Sequence, residues 1–494
     1  MTGEVSGMSK SISIIDTTLR DGQQSLWAMN MRTGVMLTAL EHLDRAGFEA
    51  MEFYVPVVQI KKMIRDLGED PFQWLRLGAK KAKHTPLRLH AGYRSGLGKI
   101  PESVAKLLVQ VVIDSGISVA RISDPWNDFD HLKEEHDGLR AMGMESVINL
   151  IYSVSPRHTD DYFIDRVKKA AALNPYRLCF KDVGGLLTPD RIDTILPRIK
   201  EAAGGIPIEF HCHCNNGLAP FNVVKVLQHG LTHIHTAVPP LANASSQPSV
   251  FNVAANIRAL GFDPGLDEAP LKQAETFLTG VAKREGLAIG QPFEYDASLY
   301  RHQVPGGMIS NLRYQLTKVK QEHRLPEVLE EVVQVRADFG YPIMVTPLSQ
   351  FVGTQAAVNV MVGERYRQVT DETIQYALGH WGKEALQHMD PDVRDRILDR
   401  PRARELAAVE YPQPSLAEVR RHYGERLSDE ELLLRVYVGE DAIEIARNAP
   451  KPSEYSLSGT SFVALIRSLT RINDKAHVSF AKSDMRITLS RREG

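Results

Sequence analysis

The sequence predicts an α/β protein: a (β/α)8 barrel followed by a mostly helical domain and a small C-terminal α/β tail. Three observations predict it. From Ser11 to about Leu260 one rhythm recurs, a short β-rich apolar run, a loop, and a segment with helical spacing of apolar residues. The runs number eight and are evenly spaced, which favours a closed barrel over a doubly wound open sheet. Polar and charged residues collect at the C-terminal ends of the runs, where a barrel keeps its active site.

In order, the candidate strands are SISIIDTTL, AMEFY, LRLHAG, VARIS, SVINLIYS, RLCFKD, IPIEFHCH and HIHTAV. Each is followed by a helical pattern such as VMLTALEHLDRAG or FNVVKVLQHG. Past Leu260 the rhythm stops, and Glu268 to Val281, Pro326 to Asp338 and Asp371 to Met389 read as helices. From Lys451 a Pro/Ser linker leads to one helical stretch, Phe462 to Leu469, and then to "HVSFAKSDMRITLS", whose period-two alternation marks a small β element. The expected domains are a barrel at 11–265, a helical domain at 266–448, and a linker with a small interaction segment at 449–494.

Bulk composition narrows the function classes. A chain of 494 residues should hold two or three domains. Its 59 basic and 61 acidic residues leave a formal charge of -2, which argues against nucleic acid or an anionic membrane as partner. The N-terminus lacks a signal-peptide pattern and no apolar run is long enough to span a bilayer, so the expected location is cytoplasmic. Cysteine occurs only at 179, 212 and 214, which rules out a disulfide framework.

The stretch "EFHCHCNNG" alternates two histidines with two cysteines. Successive side chains on a strand point to opposite faces, so His211 and His213 project together while Cys212 and Cys214 do not join them. Four tetrahedral ligands from one such tetrapeptide are geometrically implausible. Two imidazoles at a barrel mouth can reach one metal, or be hydrogen-bonded core residues. Asp21, in "DTTLRDGQQS", is an oxygen ligand or a loop cap. Lys181, in "CFKDVGG", is half of an ion pair, a Schiff-base lysine or a carbamylated one.

As a set, "DTTLRDGQQSLWA", "FKDVGGLLTP", "HCHCNNG", "SSQPS", "PGGMISN" and "YPIMVTPLSQFVGTQA" resemble the carboxyltransferase domain of biotin-dependent enzymes: pyruvate carboxylase, the oxaloacetate decarboxylase α subunit and the barrel subunit of transcarboxylase. The likeness runs in order from about Ile14 to Asp441. It implies a barrel whose mouth is closed by a helical domain, usually in a homodimer. A divalent metal, zinc, manganese or cobalt, would be held by Asp21, His211, His213 and a carbamate on Lys181. Carbamylation turns a cation into a carboxylate-like oxygen ligand. The resemblance implies that Ser245 passes a proton between biotin and the acceptor, that Gln24 contacts the acceptor, and that the metal holds the enolate charge.

Three positions depart from the family. Tyr54 to Val57, "YVPV", replaces a Trp-Gly-Gly-Ala loop, Gln23 replaces a histidine, and Ala91 stands where the family places a carboxylate-gripping arginine. Arg94 and Arg121 are the candidates to replace that arginine in binding the substrate. The changes lie near the acceptor and leave the implied metal set complete, so the expectation is retained chemistry on an altered small-molecule acceptor, one other than pyruvate and outside the small 2-oxo acids. The chain also has no lysine in the Met-Lys-Met context that accepts biotin. Biotin would therefore come on a separate carrier protein, with a biotin carboxylase subunit as the other partner. The competing readings are a biotin-independent decarboxylase and a lyase-type barrel like isopropylmalate synthase or hydroxymethylglutaryl lyase, which share "LRDG" and an HxHN-like motif.

Overall fold

The computed structural model of the chain describes residues 11–90, 100–452, 455, 477–482 and 485–490. Eight parallel strands follow one another around a closed barrel. They are β1 (Ser13–Asp16), β2 (Ala50–Tyr54), β3 (Leu87–His90), β4 (Val119–Ile122), β5 (Glu145–Ile151), β6 (Arg177–Asp182), β7 (Ile208–Cys212) and β8 (His233–Thr236). Each falls on one of the eight apolar runs. Closure is explicit in the register, since Ile15 of β1 lies opposite Ala50 of β2 on one side and His235 of β8 on the other. The open-sheet alternative is thereby excluded.

The covering helices begin where the local chemistry allows it. Asp128, Thr159 and Thr188 accept the otherwise orphaned N–H groups of His131, Tyr162 and Arg191 at the starts of helices Phe129–Ala141, Asp160–Ala172 and Pro189–Ala202. Helix Glu102–Asp114 buries Val104, Leu108 and Val112, four residues apart, against the barrel.

The barrel interior is not the usual stack of branched aliphatics. Glu52, Arg88, Arg121, Glu209 and His235 are all buried within it. Buried charges persist when each is paired. Glu52 pairs with Arg20 and Arg121. Glu209 takes Arg88 Nη1 at 2.7 Å and Arg177 Nη1 at 3.1 Å.

The expected helices of the second region are present at Glu268–Glu285 and Leu325–Asp338. The single helix expected over Asp371 to Met389 is instead two, Asp371–Ala377 and Lys383–His388. Gly379 and Gly382 between them adopt φ of +88° and +102°, outside helical space. Helices Leu325–Asp338 and Leu348–Val362 pack a core of Val328, Val332, Val335, Phe351 and Val352, and Trp126 from the loop after β4 inserts into it. Arg336 adds polar ties to the loop after β5, donating to Ser153 Oγ at 3.0 Å and to the Val154 carbonyl at 3.1 Å.

An extended segment, 287–298, crosses the loops that follow β7 and β8. Gly290 N–H donates to the Pro240 carbonyl at 2.8 Å, and Ala244 N–H donates to the Gln291 carbonyl at 2.9 Å. Gly217 has φ +77°, and a Cβ there would come within 2.3 Å of the Phe293 carbonyl oxygen. Glycine is therefore required where this segment lies over the mouth.

Residues through Pro452 form one compact unit and those from Ser453 a second. In the second, His477–Lys482 and Met485–Ser490 pair antiparallel, the β element that the alternation predicts. The helical stretch Phe462 to Leu469 lies outside the described residues, as do Ala91 and Arg94. No helix among the described residues is long and apolar enough to cross a membrane.

Candidate active site at the barrel mouth

β1 ends at Asp16, and the chain then turns through a widened helical turn in which Gly22 N–H donates to the Thr17 carbonyl at 3.0 Å. Such i to i−5 turns are frequent at functional sites. This one carries Asp21 over the mouth. β7 supplies His211 on its inward face, and His213 follows one residue past the strand end. The three converge: Asp21 Oδ2 lies 3.2 Å from His211 Nε2 and 3.7 Å from His213 Nε2. The two Nε2 atoms are 3.2 Å apart. Among the described residues, Cys212 and Cys214 take no part in this group. Cys212 instead places its thiol 3.9 Å from the Ala219 carbonyl.

The surroundings set the protonation states that metal ligation needs. Burial alone would raise the Asp21 carboxyl, but Arg20 holds it well below the usual range. Arg20 Nη2 sits 2.7 Å from Asp21 Oδ2. Burial keeps both imidazoles neutral, with Arg121 adding to the effect at His211. His213 Nδ1–H donates to the Ser245 carbonyl at 2.7 Å, which leaves its Nε2 lone pair facing the site. Gln247 Oε1 lies 2.8 Å from Thr17 Oγ1 and accepts from Ser246 Oγ at 3.3 Å, and its amide NH2 faces His213 Nε2 at 3.0 Å and His211 Nε2 at 3.4 Å. One carboxylate and two imidazoles with free lone pairs suit zinc, manganese or cobalt.

Lys181, one residue before the end of β6, lies directly opposite His211 in the strand register. It is 8% exposed, and burial together with Arg121 and Arg20 pushes its ammonium down to about 7. Ser245 Oγ–H donates to the Ser25 carbonyl at 3.2 Å, while the Ser245 carbonyl is the group that orients His213. Gln24 has a buried carbonyl oxygen with no hydrogen-bond partner. Arg121 is fully buried, paired with Glu52 and donating to Asn149 Oδ1 at 3.1 Å, and its Nη2 has no hydrogen-bond partner. Arg121 is thus a core residue with one free edge, whereas Arg94 lies outside the described residues.

Beside Ser245 a cavity of about 720 Å³ opens, lined by Asn215, Phe293, Gly306 and Tyr314 among others. A Cβ on Gly306 would lie 3.3 Å from Ser245 Cβ, so the cavity wall and the serine are in contact range.

Arg20, Glu52 and Gln247 escape the sequence reading although two of them flank residues it selects. Arg20 immediately precedes Asp21, and Gln247 stands in "SSQPS" two residues after Ser245. Glu209 was legible too, since alternation places it on the face of His211.

Comparison with known proteins defines the class first. The family described as HMGL-like matches residues 11–278, the whole barrel, and a conserved carboxylase domain matches residues 299–482. The barrel is therefore of the HMGL-like class, and a conserved carboxylase domain follows it. A pyruvate carboxylase subunit of Methanocaldococcus jannaschii is 35% identical over 391 residues, covering 78% of this chain and 68% of that protein. The 2-oxoglutarate carboxylase large subunit of Hydrogenobacter thermophilus is 33% identical over 383 residues, covering 77% of this chain and 59% of that protein. In fold, the carboxyl transferase domain of Rhizobium etli pyruvate carboxylase superposes with a TM-score of 0.79 at 22% identity, over 89% of this chain and 77% of that one. This chain belongs to the carboxyltransferase family of the biotin-dependent carboxylases.

Proposed function

We propose that this chain is the carboxyltransferase subunit of a multi-subunit carboxylase and moves a carboxyl group from biotin to the enolate of a carbonyl-containing acceptor. The observation that carries the reading is the convergence of Asp21, His211 and His213 at the C-terminal mouth, with the outer nitrogen of His213 held by the backbone of Ser245. Lys181, as its carbamate, is the fourth ligand, placed by its register beside His211. When bound there, a divalent ion supplies Lewis-acid stabilisation of enolate charge.

The chain's own residues do the rest. Ser245 holds the proton that passes between biotin and the acceptor, and the Ser25 carbonyl that it meets at 3.2 Å aims its hydroxyl across the mouth. Gln24 and the free Nη2 edge of Arg121 offer polar partners to the acceptor. The segment 287–298 and helix Gly306–Lys318 bound the cavity next to Ser245, which admits the biotin arm of a separate carrier and shields the proton transfer from water. The named relatives are carboxylases of pyruvate and of 2-oxoglutarate, which favours a 2-oxo acid as acceptor over the altered class expected from Ala91.

The test is reconstitution with a biotin carboxylase and a biotinylated carrier, scoring labelled bicarbonate incorporation across 2-oxo acids. Ser245→Ala should lose about 10²- to 10⁴-fold in rate, and Ser245→Thr should retain activity. Elemental analysis should find no metal in Asp21→Ala. Metal retained in Asp21→Ala, or an avidin-insensitive activity without any carrier, overturns the reading.

A further inference from the structure

Behind the candidate metal site a chain of hydrogen bonds runs down the barrel axis, from β7 to β8 and back. His211 Nδ1 lies 3.1 Å from His235 Nδ1, and His235 Nε2 lies 2.9 Å from Glu209 Oε2. All three side chains are fully buried. The other carboxylate oxygen of Glu209 accepts from Arg88 at 2.7 Å and from Arg177 at 3.1 Å.

We propose that Glu209 is a positioning residue for the metal site: acting through His235, it holds His211 in the tautomer whose Nε2 lone pair faces Asp21 and His213. The inference rests on the reading that these residues hold a metal.

Proton placement follows from the partners. A carboxylate flanked by two guanidinium groups stays ionised and can only accept, so His235 Nε2 carries the proton. A neutral His235 then presents a lone pair at Nδ1. Of two facing Nδ1 atoms one must donate, so His211 does, and its Nε2 is left free. Gln247 agrees with this, its NH2 facing His211 Nε2 at 3.4 Å and His213 Nε2 at 3.0 Å, while Asp21 Oδ2 at 3.2 Å is the competing acceptor for a proton on His211 Nε2. The competing acceptor for His235 Nδ1–H is Glu52, but its Oε1 is 3.8 Å away and its oxygens are engaged by Arg20 and Arg121.

Cys179, Glu209 and His235 also cluster within ligand range of one another. A second metal there would have to compete with the two arginines on Glu209. The relay explains the same three groups without an ion.

The experiment is selective ¹⁵N labelling of histidine, read by NMR in zinc-free and zinc-loaded protein, alongside zinc affinity by chelator competition. Wild type should show His235 protonated at Nε2 and His211 at Nδ1. In Glu209→Gln the amide oxygen stays with the arginines and the NH2 turns to His235 Nε2, which reverses every donor along the chain. Zinc affinity should then fall by about 10- to 100-fold, the usual effect of losing an orienting partner behind a ligand. Wild-type affinity in Glu209→Gln, or a wild-type His211 protonated at Nε2 rather than Nδ1 in the zinc-free protein, overturns the relay. Should Glu209→Gln fail to fold, the wild-type spectrum alone decides. Zinc retained in Asp21→Ala overturns the metal site itself; zinc lost there but kept in Glu209→Gln overturns only the relay.

Discussion

At the scale of single residues, alternation along one strand separates ligands from packing. His211 and its neighbour His213 enter the site, while Cys212 and Cys214 are buried with thiols pushed upward by loss of solvent. A protonated, inaccessible thiol neither binds metal nor attacks an alkylating reagent. Native protein should therefore resist iodoacetamide at both positions, measured by intact mass, and Cys212→Ala and Cys214→Ala should keep their metal at a cost of about 1 kcal/mol in stability. Loss of metal from either cysteine variant would contradict the assignment. The pairing of Asp21 with Arg20 was harder to read than the histidines. An aspartate before a helical turn is ordinarily a cap, and only the fold shows that its carboxylate points inward.

Among elements, the helical region is fastened to the barrel by polar contacts as well as by Trp126. Glu384, on helix Lys383–His388, pairs with Arg157 in the loop after β5 and with Arg166 at 2.7 Å on helix Asp160–Ala172. Burial opposes ionisation of Glu384, yet Arg166 and Arg157 more than offset it and lower its carboxyl. Because the folded-state value is depressed, this stabilisation is complete above the unfolded carboxylate range and disappears as pH falls through the folded one. Glu384→Gln should lower stability by about 2 kcal/mol at neutral pH, and the gap from wild type should close below about pH 4 in denaturant titrations. The break at Gly379 and Gly382 places Lys383–His388 where this contact forms. Sequence periodicity read straight through that break, since the apolar spacing on either side stays compatible with one helix.

For the molecule as a whole, the barrel encloses a network of charges instead of an aliphatic core. Glu52 and Asp21 balance Arg20 and Arg121 near the mouth, and Glu209 and Glu49 balance Arg88 and Arg177 deeper in. Removing one partner leaves a buried charge short of its counterion, which costs roughly 3–5 kcal/mol. Arg88→Met should accordingly unfold at clearly lower urea concentration than wild type, whereas an exposed pair such as Lys133 with Asp137 should tolerate Lys133→Ala with little change. An unchanged midpoint for Arg88→Met would show that the network is solvated and not the packed interior described here.

The eight strands, their parallel order, the shared face of His211 and His213, and the positions of Asp21 after the first strand and Lys181 near the end of the sixth are all readable along the chain. All of these follow from local period and strand polarity, which a linear chain carries in plain view. Only the tertiary structure decided that Thr17 meets Gln247, that 287–298 lies over the mouth, and that Glu209 reaches His211 through His235. Closing the barrel between β1 and β8 joins residues more than two hundred positions apart, and among many buried polar groups the donor-acceptor pairing is fixed by three-dimensional proximity.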